Sequence, residues 1–204
     1  PWETTLIADY ATRTYCQLRF GVPSHVTFVL TGNPATVLNF AARADEWKQE
    51  LIRDIHDGTL CADLDLEPET RASLEARFEP APARAAELER AAERVGRLRP
   101  AEYWPDLGLV HTWIQGNCAL MVPRLRPWFR EGTPILDFGY IASEILATDL
   151  MDPETQGSLL QVQSGFYEFQ PADEDAPPGG PMLRAHEVQI GERYYIYVTT
   201  FSGL

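Results

Sequence analysis

The segment Leu136-Asp-Phe-Gly-Tyr140-Ile-Ala-Ser143-Glu144 carries the densest chemistry in this chain. A short apolar run ends there, followed by an aromatic ring, a hydroxyl three residues on, and then a carboxylate. An adenylating site needs that set of groups. A purine stacks on a flat aromatic face, and a reacting α-phosphate takes a neutral hydroxyl donor. A Mg²⁺ bridging phosphates takes a hard carboxylate oxygen, with waters and phosphate completing its octahedron. A loop holding Tyr, Ser and Glu is also common on protein surfaces. On these residues alone the segment supports either a nucleotide site or an ordinary loop.

Other candidates point less clearly. Asp54, His56, Asp57, Asp63 and Asp65 invite a metal, but they straddle an expected helix end and a loop, and their spacing fits no known ligand loop. A solvated acidic surface is the expectation there. His25, His111 and His186 fall in or beside expected strands and read as packing or surface positions. The Gly-x-Ser-x-Gly elbow, the phosphate loop ending in Gly-Lys-Ser/Thr, His-Glu-x-x-His and the dinucleotide glycine fingerprint are all absent from the sequence. Hydrolase, kinase-type and zinc-protease readings therefore have no support.

These groups must be positioned by the surrounding elements. Ile7, Ala11, Tyr15 and Leu18 share one stripe, which predicts a helix over 3–19. Val26 to Leu30 reads as a strand stopped at Gly32-Asn33-Pro34, where Asn33 caps a helix that takes Pro34 in its first turn. That helix and its continuation run to about Ile55, with Trp47, Leu51 and Ile55 stacked, and Gly58 ends it. Residues 67–97 are charged, Ala-rich and interrupted at Glu79-Pro-Ala-Pro82, predicting an exposed helical subdomain. Leu109 to Ile114 is a strand by its bulk and branching, Gly116-Asn117 opens a helix to about Trp128, and Ile135 to Phe138 is a further strand. Beyond it, 159–163, 166–170, 187–190 and 194–200 read as strands of mostly one antiparallel system, with Pro171 to Pro181 as a mobile hairpin loop. The pattern predicts an α/β fold, with an α/β portion over 1–158 and a β-rich portion over 159–204.

Composition narrows the class. Hydrophobic residues make up 45 % of the 204 positions, enough to bury a core. Seventeen Lys and Arg against thirty Asp and Glu leave a net charge of −13, which repels phosphate backbones and excludes a general nucleic-acid binder. Cys16, Cys61 and Cys118 form no Cys-x-x-Cys pair, as expected of free thiols in a reducing compartment. No apolar run approaches the roughly 20 residues of a membrane helix. Glu3 and Asp9 stand where a basic-then-apolar leader would be. We expect a cytoplasmic protein with no membrane partner.

Six blocks in order carry a family resemblance over nearly the whole chain: Glu50-Leu-Ile-Arg-Asp-Ile-His-Asp-Gly-Thr-Leu60; Tyr103-Trp-Pro-Asp-Leu107; Thr112-Trp-Ile-Gln-Gly-Asn-Cys-Ala119 leading to Val122-Pro-Arg-Leu125; Tyr140-Ile-Ala-Ser-Glu144; Gly165-Phe-Tyr-Glu-Phe-Gln-Pro171; and Tyr197-Val-Thr-Thr-Phe-Ser-Gly-Leu204. Together they resemble the auxin-responsive Gretchen Hagen family of acyl-acid amido synthetases, bacterial relatives included, within the adenylate-forming ligases. The resemblance implies part of the large N-terminal domain of such a ligase, with helical insertions and a β-rich C-terminal portion. It implies ATP and Mg²⁺ as cofactors, with a small carboxylic acid and an amino acid as substrates. By position, Tyr140 would line the adenine pocket, Ser143 would face the phosphate and Glu144 would help hold Mg²⁺. Gly116 and Asn117 fall on the strand-to-helix turn that lines the acyl pocket, where Asn117 and Cys118 depart from the smaller residues of the pattern. Trp113, Cys118, Met121 and Phe138, close to that pocket, suggest an apolar or aromatic acid, and each reads equally well as plain core.

Two family parts have no counterpart here. No Ser/Thr/Gly-rich phosphate loop precedes residue 26, and the ribose-binding Tyr-Arg-x-Asp-x-Gly-Asp block and the C-terminal domain with its catalytic lysine would follow Gly203-Leu204. Pro1 opens directly on a helical pattern, and Leu204 closely follows a strong strand. We therefore expect a piece of a longer synthetase that is incomplete on its own. Two alternatives stay open: an inactive adenylation fold serving as a binding or assembly module, and an enzyme that passes its acyl group to a thiol or hydroxyl instead of an amine.

Overall fold

The computed structural model describes residues 1–152, 154, 157–172 and 179–201. Two compact units, Pro1–Leu136 and Asp137–Leu204, divide the chain, and the compositional change near residue 158 falls inside the second.

In the first unit a short 3-10 turn (Trp2–Leu6) precedes α1 (Tyr10–Gly21). The helix predicted over 3–19 starts late because the Asp9 carboxylate accepts the Thr12 N–H at 2.6 Å and caps the first turn. Strand β1 (Phe28–Leu30) leads into α2 (Pro34–Glu46), capped by Asn33 as predicted. Trp47 interrupts the run with φ −98 and ψ 20, and α3 (Lys48–Asp57) follows, closed by Gly58 in the left-handed region. Next come α4 (Pro68–Glu75), α5 (Pro82–Val95), the short α6 (Pro100–Tyr103), β2 (Leu109–Thr112) and α7 (Val122–Leu125). Strand β3 (Ile135–Asp137) completes a sheet of order β1-β2-β3, in which β1 and β2 run parallel.

Burial explains this arrangement. Leu51 and Ile55 of α3, Leu18 of α1 and Leu88 of α5 are at most 1 % exposed and share one core with Leu74 of α4. The stretch 67–97 is helical, and Leu74, Ala85, Leu88 and Ala92 within it are buried rather than exposed. Its alanines and leucines recur at helical spacing and pack α5 onto α3. A second core, Val37, Val110, Leu125, Phe129 and Ile135, seats α2 and α7 on the sheet. The helix predicted from Gly116 to Trp128 is instead a 3-10 turn (Gly116–Met121), α7 and a second 3-10 turn (Arg126–Trp128). Pro123 and Pro127 remove backbone donors that a continuous helix would use.

Among the described residues the second unit holds three antiparallel pairs rather than one system. They are β4 (Ile141–Ala142) with β5 (Ile145–Leu146), β6 (Thr148–Asp152) with β7 (Gly157–Leu160), and β8 (Phe166–Pro171) with β9 (Tyr194–Thr199). Ile145, Ala147, Tyr167 and Phe169 form its core. The strand predicted over 187–190 is a turn. Glu187 N–H donates to the Arg184 carbonyl at 2.9 Å while its carboxylate accepts the Arg184 N–H at 2.7 Å, so local bonds replace a ladder. Much of the loop predicted from Pro171 to Pro181, and Ser202-Gly203-Leu204 of the last sequence block, lie outside the described residues. The α/β class with a β-rich C-terminal portion holds.

Candidate functional site

Tyr140, Ser143 and Glu144 belong to one hairpin. Ser143 and Glu144 are the two-residue turn between β4 and β5, and Tyr140 stands just before β4, so the expected loop is a tight, hydrogen-bonded structure. Its base is fixed by hydrogen bonds of the Tyr140 backbone. Tyr140 N–H donates to Thr148 Oγ1 at 2.8 Å, and its carbonyl accepts Ala147 N–H at 2.9 Å. Gly139 turns the chain with φ +77, and a Cβ there would lie 2.6 Å from the Thr148 carbonyl oxygen, so only glycine permits this approach. Its N–H donates to the Asp137 carboxylate at 3.0 Å, which fixes the corner below the tyrosine.

The functional ends of the three side chains face outward. Tyr140 is 51 % exposed, and Ser143 and Glu144 are exposed. Among the described residues, none hydrogen-bonds to the Ser143 hydroxyl and none pairs with the Glu144 carboxylate. An exposed ring, hydroxyl and carboxylate on a clamped hairpin can stack on a base, donate to a phosphate and ligate a cation.

Gly116 and Asn117 lie in the first unit, at the start of the 3-10 turn after β2. Gly116 has φ +53 and open space where a Cβ would stand, and Asn117 is exposed. Cys118 and Met121 are partly buried on the same turn, whereas Phe138 belongs to the second unit.

The acidic residues around α3 do not gather into one site. Among the described residues no cluster of three His, Cys, Asp or Glu gathers. Asp54 is 2 % exposed and accepts the Tyr15 hydroxyl at 2.7 Å, while Arg19 donates to the Asp54 carbonyl at 2.9 Å. Burial and that bond to Asp54 push the Tyr15 phenol far above its ordinary range. His56 bonds Asp57 at 2.7 Å at the surface, and His25 pairs with the distant Asp106 at 3.0 Å, also exposed.

An apolar cavity of about 290 Å³ lies in the first unit beside β1, lined by Val29, Leu30, Val37, Phe40, Tyr103 and Trp104 among others. Tyr140, Ser143, Glu144, Gly116 and Asn117 are not part of its wall.

Residues 1–135 match the GH3 family N-terminal domain, and residues 158–204 match the GH3 family central domain. The chain belongs to the GH3 family. It is 26 % identical to indole-3-acetic acid-amido synthetase GH3.17 of Arabidopsis thaliana, a match covering all of this chain and 37 % of that protein. It is likewise 26 % identical to jasmonoyl–L-amino acid synthetase JAR4 of Nicotiana attenuata, again over 100 % of the chain and 37 % of the relative. Among solved structures, GH3.15 acyl acid amido synthetase superposes with a TM-score of 0.80 at 22 % identity, covering 100 % of this chain and 37 % of that one, which establishes the fold. This GH3 chain spans little more than a third of the length of the curated relatives it matches.

Proposed function

We propose that the protein containing these residues is an ATP-dependent, AMP-forming acyl-acid amide synthetase acting in the cytoplasm. The exposed Tyr140-Ser143-Glu144 hairpin, in a GH3 chain whose relatives are named amido synthetases, carries this reading. In the first step a substrate carboxylate oxygen bonds to the α-phosphorus of ATP as the bridging P–O bond breaks and pyrophosphate leaves. In the second, an amino acid nitrogen bonds to the activated carbonyl carbon. The C–O bond to AMP then breaks, and the nitrogen loses its proton.

Tyr140 would stack on the adenine, Ser143 would donate its hydroxyl to the α-phosphate, and Gly116 and Asn117 would line the acyl side. Glu144 suits Mg²⁺: it is an exposed hard carboxylate, and among the described residues no group of three His, Cys, Asp or Glu gathers, so phosphate oxygens and water would fill the remaining positions. The ion would supply charge neutralisation at the phosphates. The thermodynamic role of the hairpin is pre-organisation, because its backbone is fixed before nucleotide arrives.

ATP–pyrophosphate exchange by the full-length protein with a panel of small acids tests this. Acid-dependent exchange, followed by amide formation when amino acids are added, is the expected result. ATP binding without exchange for any acid would leave only a nucleotide-binding module. Transfer to thiols alone would move the acceptor class.

A further inference from the structure

In the second unit the backbone passes from Glu144 directly into Ile145, and these two neighbours have opposite surroundings. Glu144 is exposed, whereas Ile145 is 9 % exposed and joins Ala147, Tyr167 and Phe169 in the core. The Cδ1 of Ile145 lies against Gly165, the residue before β8. A Cβ built on that glycine would come 3.0 Å from Ile145 Cδ1, 3.1 Å from Val198 Cγ1 and 3.1 Å from the Thr199 carbonyl oxygen. Gly165 is not among the glycines with positive φ, so close approach rather than backbone conformation demands it. The floor beneath Ile145 is a ladder, because β8 and β9 pair from Phe166↔Thr199 to Pro171↔Tyr194. The base of the hairpin is held differently, by the Tyr140 bonds to Ala147 and Thr148. Its tip and its base therefore have separate supports.

We propose that Ile145, seated on Gly165, is a positioning residue that aims the Ser143–Glu144 turn at the phosphates and cation of a nucleoside triphosphate. This rests on the nucleotide reading of the hairpin and names what sets its phosphate end. Ile145 pairs with Ala142 across the two-residue turn, so both ends of the turn move with it. A β-branched side chain in a close-packed seat has few ways to sit, and that fixes its own backbone. Glu144 is exposed, so its aim comes through the peptide that joins it to Ile145. A misplacement of about 1 Å around a reacting site is worth up to roughly a hundredfold. Tyr140 stands at the other end of the hairpin on its own hydrogen bonds, so loosening the tip should spare the adenine end. Gly165 acts through Ile145: a methyl there takes the room of Cδ1 and lifts the turn.

The test uses full-length protein carrying Ile145→Ala, Ile145→Val or Gly165→Ala. Calorimetry reads the binding of Mg²⁺·ATP and of adenosine, which lacks the phosphates. Amide hydrogen exchange compares residues 141–146 with β8 and β9. Ile145→Ala should weaken Mg²⁺·ATP by about tenfold and adenosine by no more than about twofold. Exchange should quicken over 141–146 while β8 and β9 stay protected. Ile145→Val keeps the branch at Cβ and should recover most of the loss, and Gly165→Ala should follow the Ile145→Ala variant. Equal weakening of both ligands, as a general loosening would give, overturns the proposal. So does unchanged Mg²⁺·ATP binding in Ile145→Ala and Gly165→Ala. Should Ile145→Ala fail to fold, Gly165→Ala and Ile145→Val still read the ratio between the two ligands. Wild-type protein that binds Mg²⁺·ATP through this seat but never exchanges pyrophosphate supports the proposal while sinking the synthetase reading. Wild-type protein that binds no Mg²⁺·ATP overturns the proposal.

Discussion

Asp54 in the first unit is 2 % exposed and holds the Tyr15 hydroxyl, whereas Glu144 in the second stands exposed on a two-residue turn with no partner among the described residues. Both are carboxylates, and both drew attention in the sequence. The first is spent on joining α1 to α3 across a helical core; the second is held out by a hairpin clamped at its base by the Tyr140 bonds to Ala147 and Thr148. A buried carboxylate with satisfied lone pairs is a structural device, and an exposed unengaged one on a rigid turn is available for a ligand. The contrast can be broken by exchanging the readouts: stability should follow changes in the first unit, activity those in the hairpin.

The largest effect is expected from Leu51→Ala. Leu51 is 0 % exposed in the middle of the helical core, and truncation leaves a cavity costing about 3 kcal/mol. Urea unfolding of the full-length protein checks this. A loss below about 1 kcal/mol would mean the core around α3 is looser than its burial implies.

Glu144→Ala should come next, measured on another axis. Pyrophosphate exchange should fall by at least about a hundredfold, with the unfolding midpoint unchanged, because the side chain has no structural partner while the charge on the phosphates loses its counterpart. Exchange surviving within a few-fold would remove Glu144 from the site. A lowered midpoint would show that it does structural work and blur the contrast with Asp54.

Tyr15→Phe sharpens the other side. It deletes one charge-assisted bond of 2.7 Å and leaves Asp54 with the weaker Thr59 contact at 3.4 Å and Arg53 at 3.7 Å. A cost of about 2 kcal/mol is expected in the same unfolding measurement, with exchange per folded molecule unchanged.

The two carboxylates also show what the sequence could reveal. Tyr140, Ser143 and Glu144 drew attention because their spacing is local and chemical, although the hairpin that presents them was not foreseen: strands of two residues carry no periodicity. Asp54 read as solvated surface because its partners, Tyr15 and Arg19, lie on another helix. The available signal was its place beside Leu51 and Ile55 on the buried stripe of α3. Gly32 looked like a strand stop, and its contact with the Trp113 ring depends on a pairing between strands far apart in sequence. The single helix expected over 116–128 failed at Pro123 and Pro127, which were visible all along.

Cys16 gives the smallest effect and tests the comparison through solvent access. It is 0 % exposed on α1, and burial pushes its thiol from 9.0 up to about 11. The unfolded thiol loses its proton above about pH 9 while the folded one keeps it. The contribution of Cys16 to stability is therefore complete below that pH and declines as pH rises toward 11, by at most about 1.4 kcal/mol per unit. A Cys16→Val variant should lose less stability than wild type between pH 9 and 10, before the buried tyrosines begin to titrate. Alkylation at pH 8 gives the matching kinetic readout. Cys61 and Cys118, both partly exposed, should react, and Cys16 should react only after urea unfolds the first unit. Rapid labelling of Cys16 in the folded protein would mean that the α1 core opens easily, and the division between a closed helical core and an outward-facing hairpin would lose its physical basis.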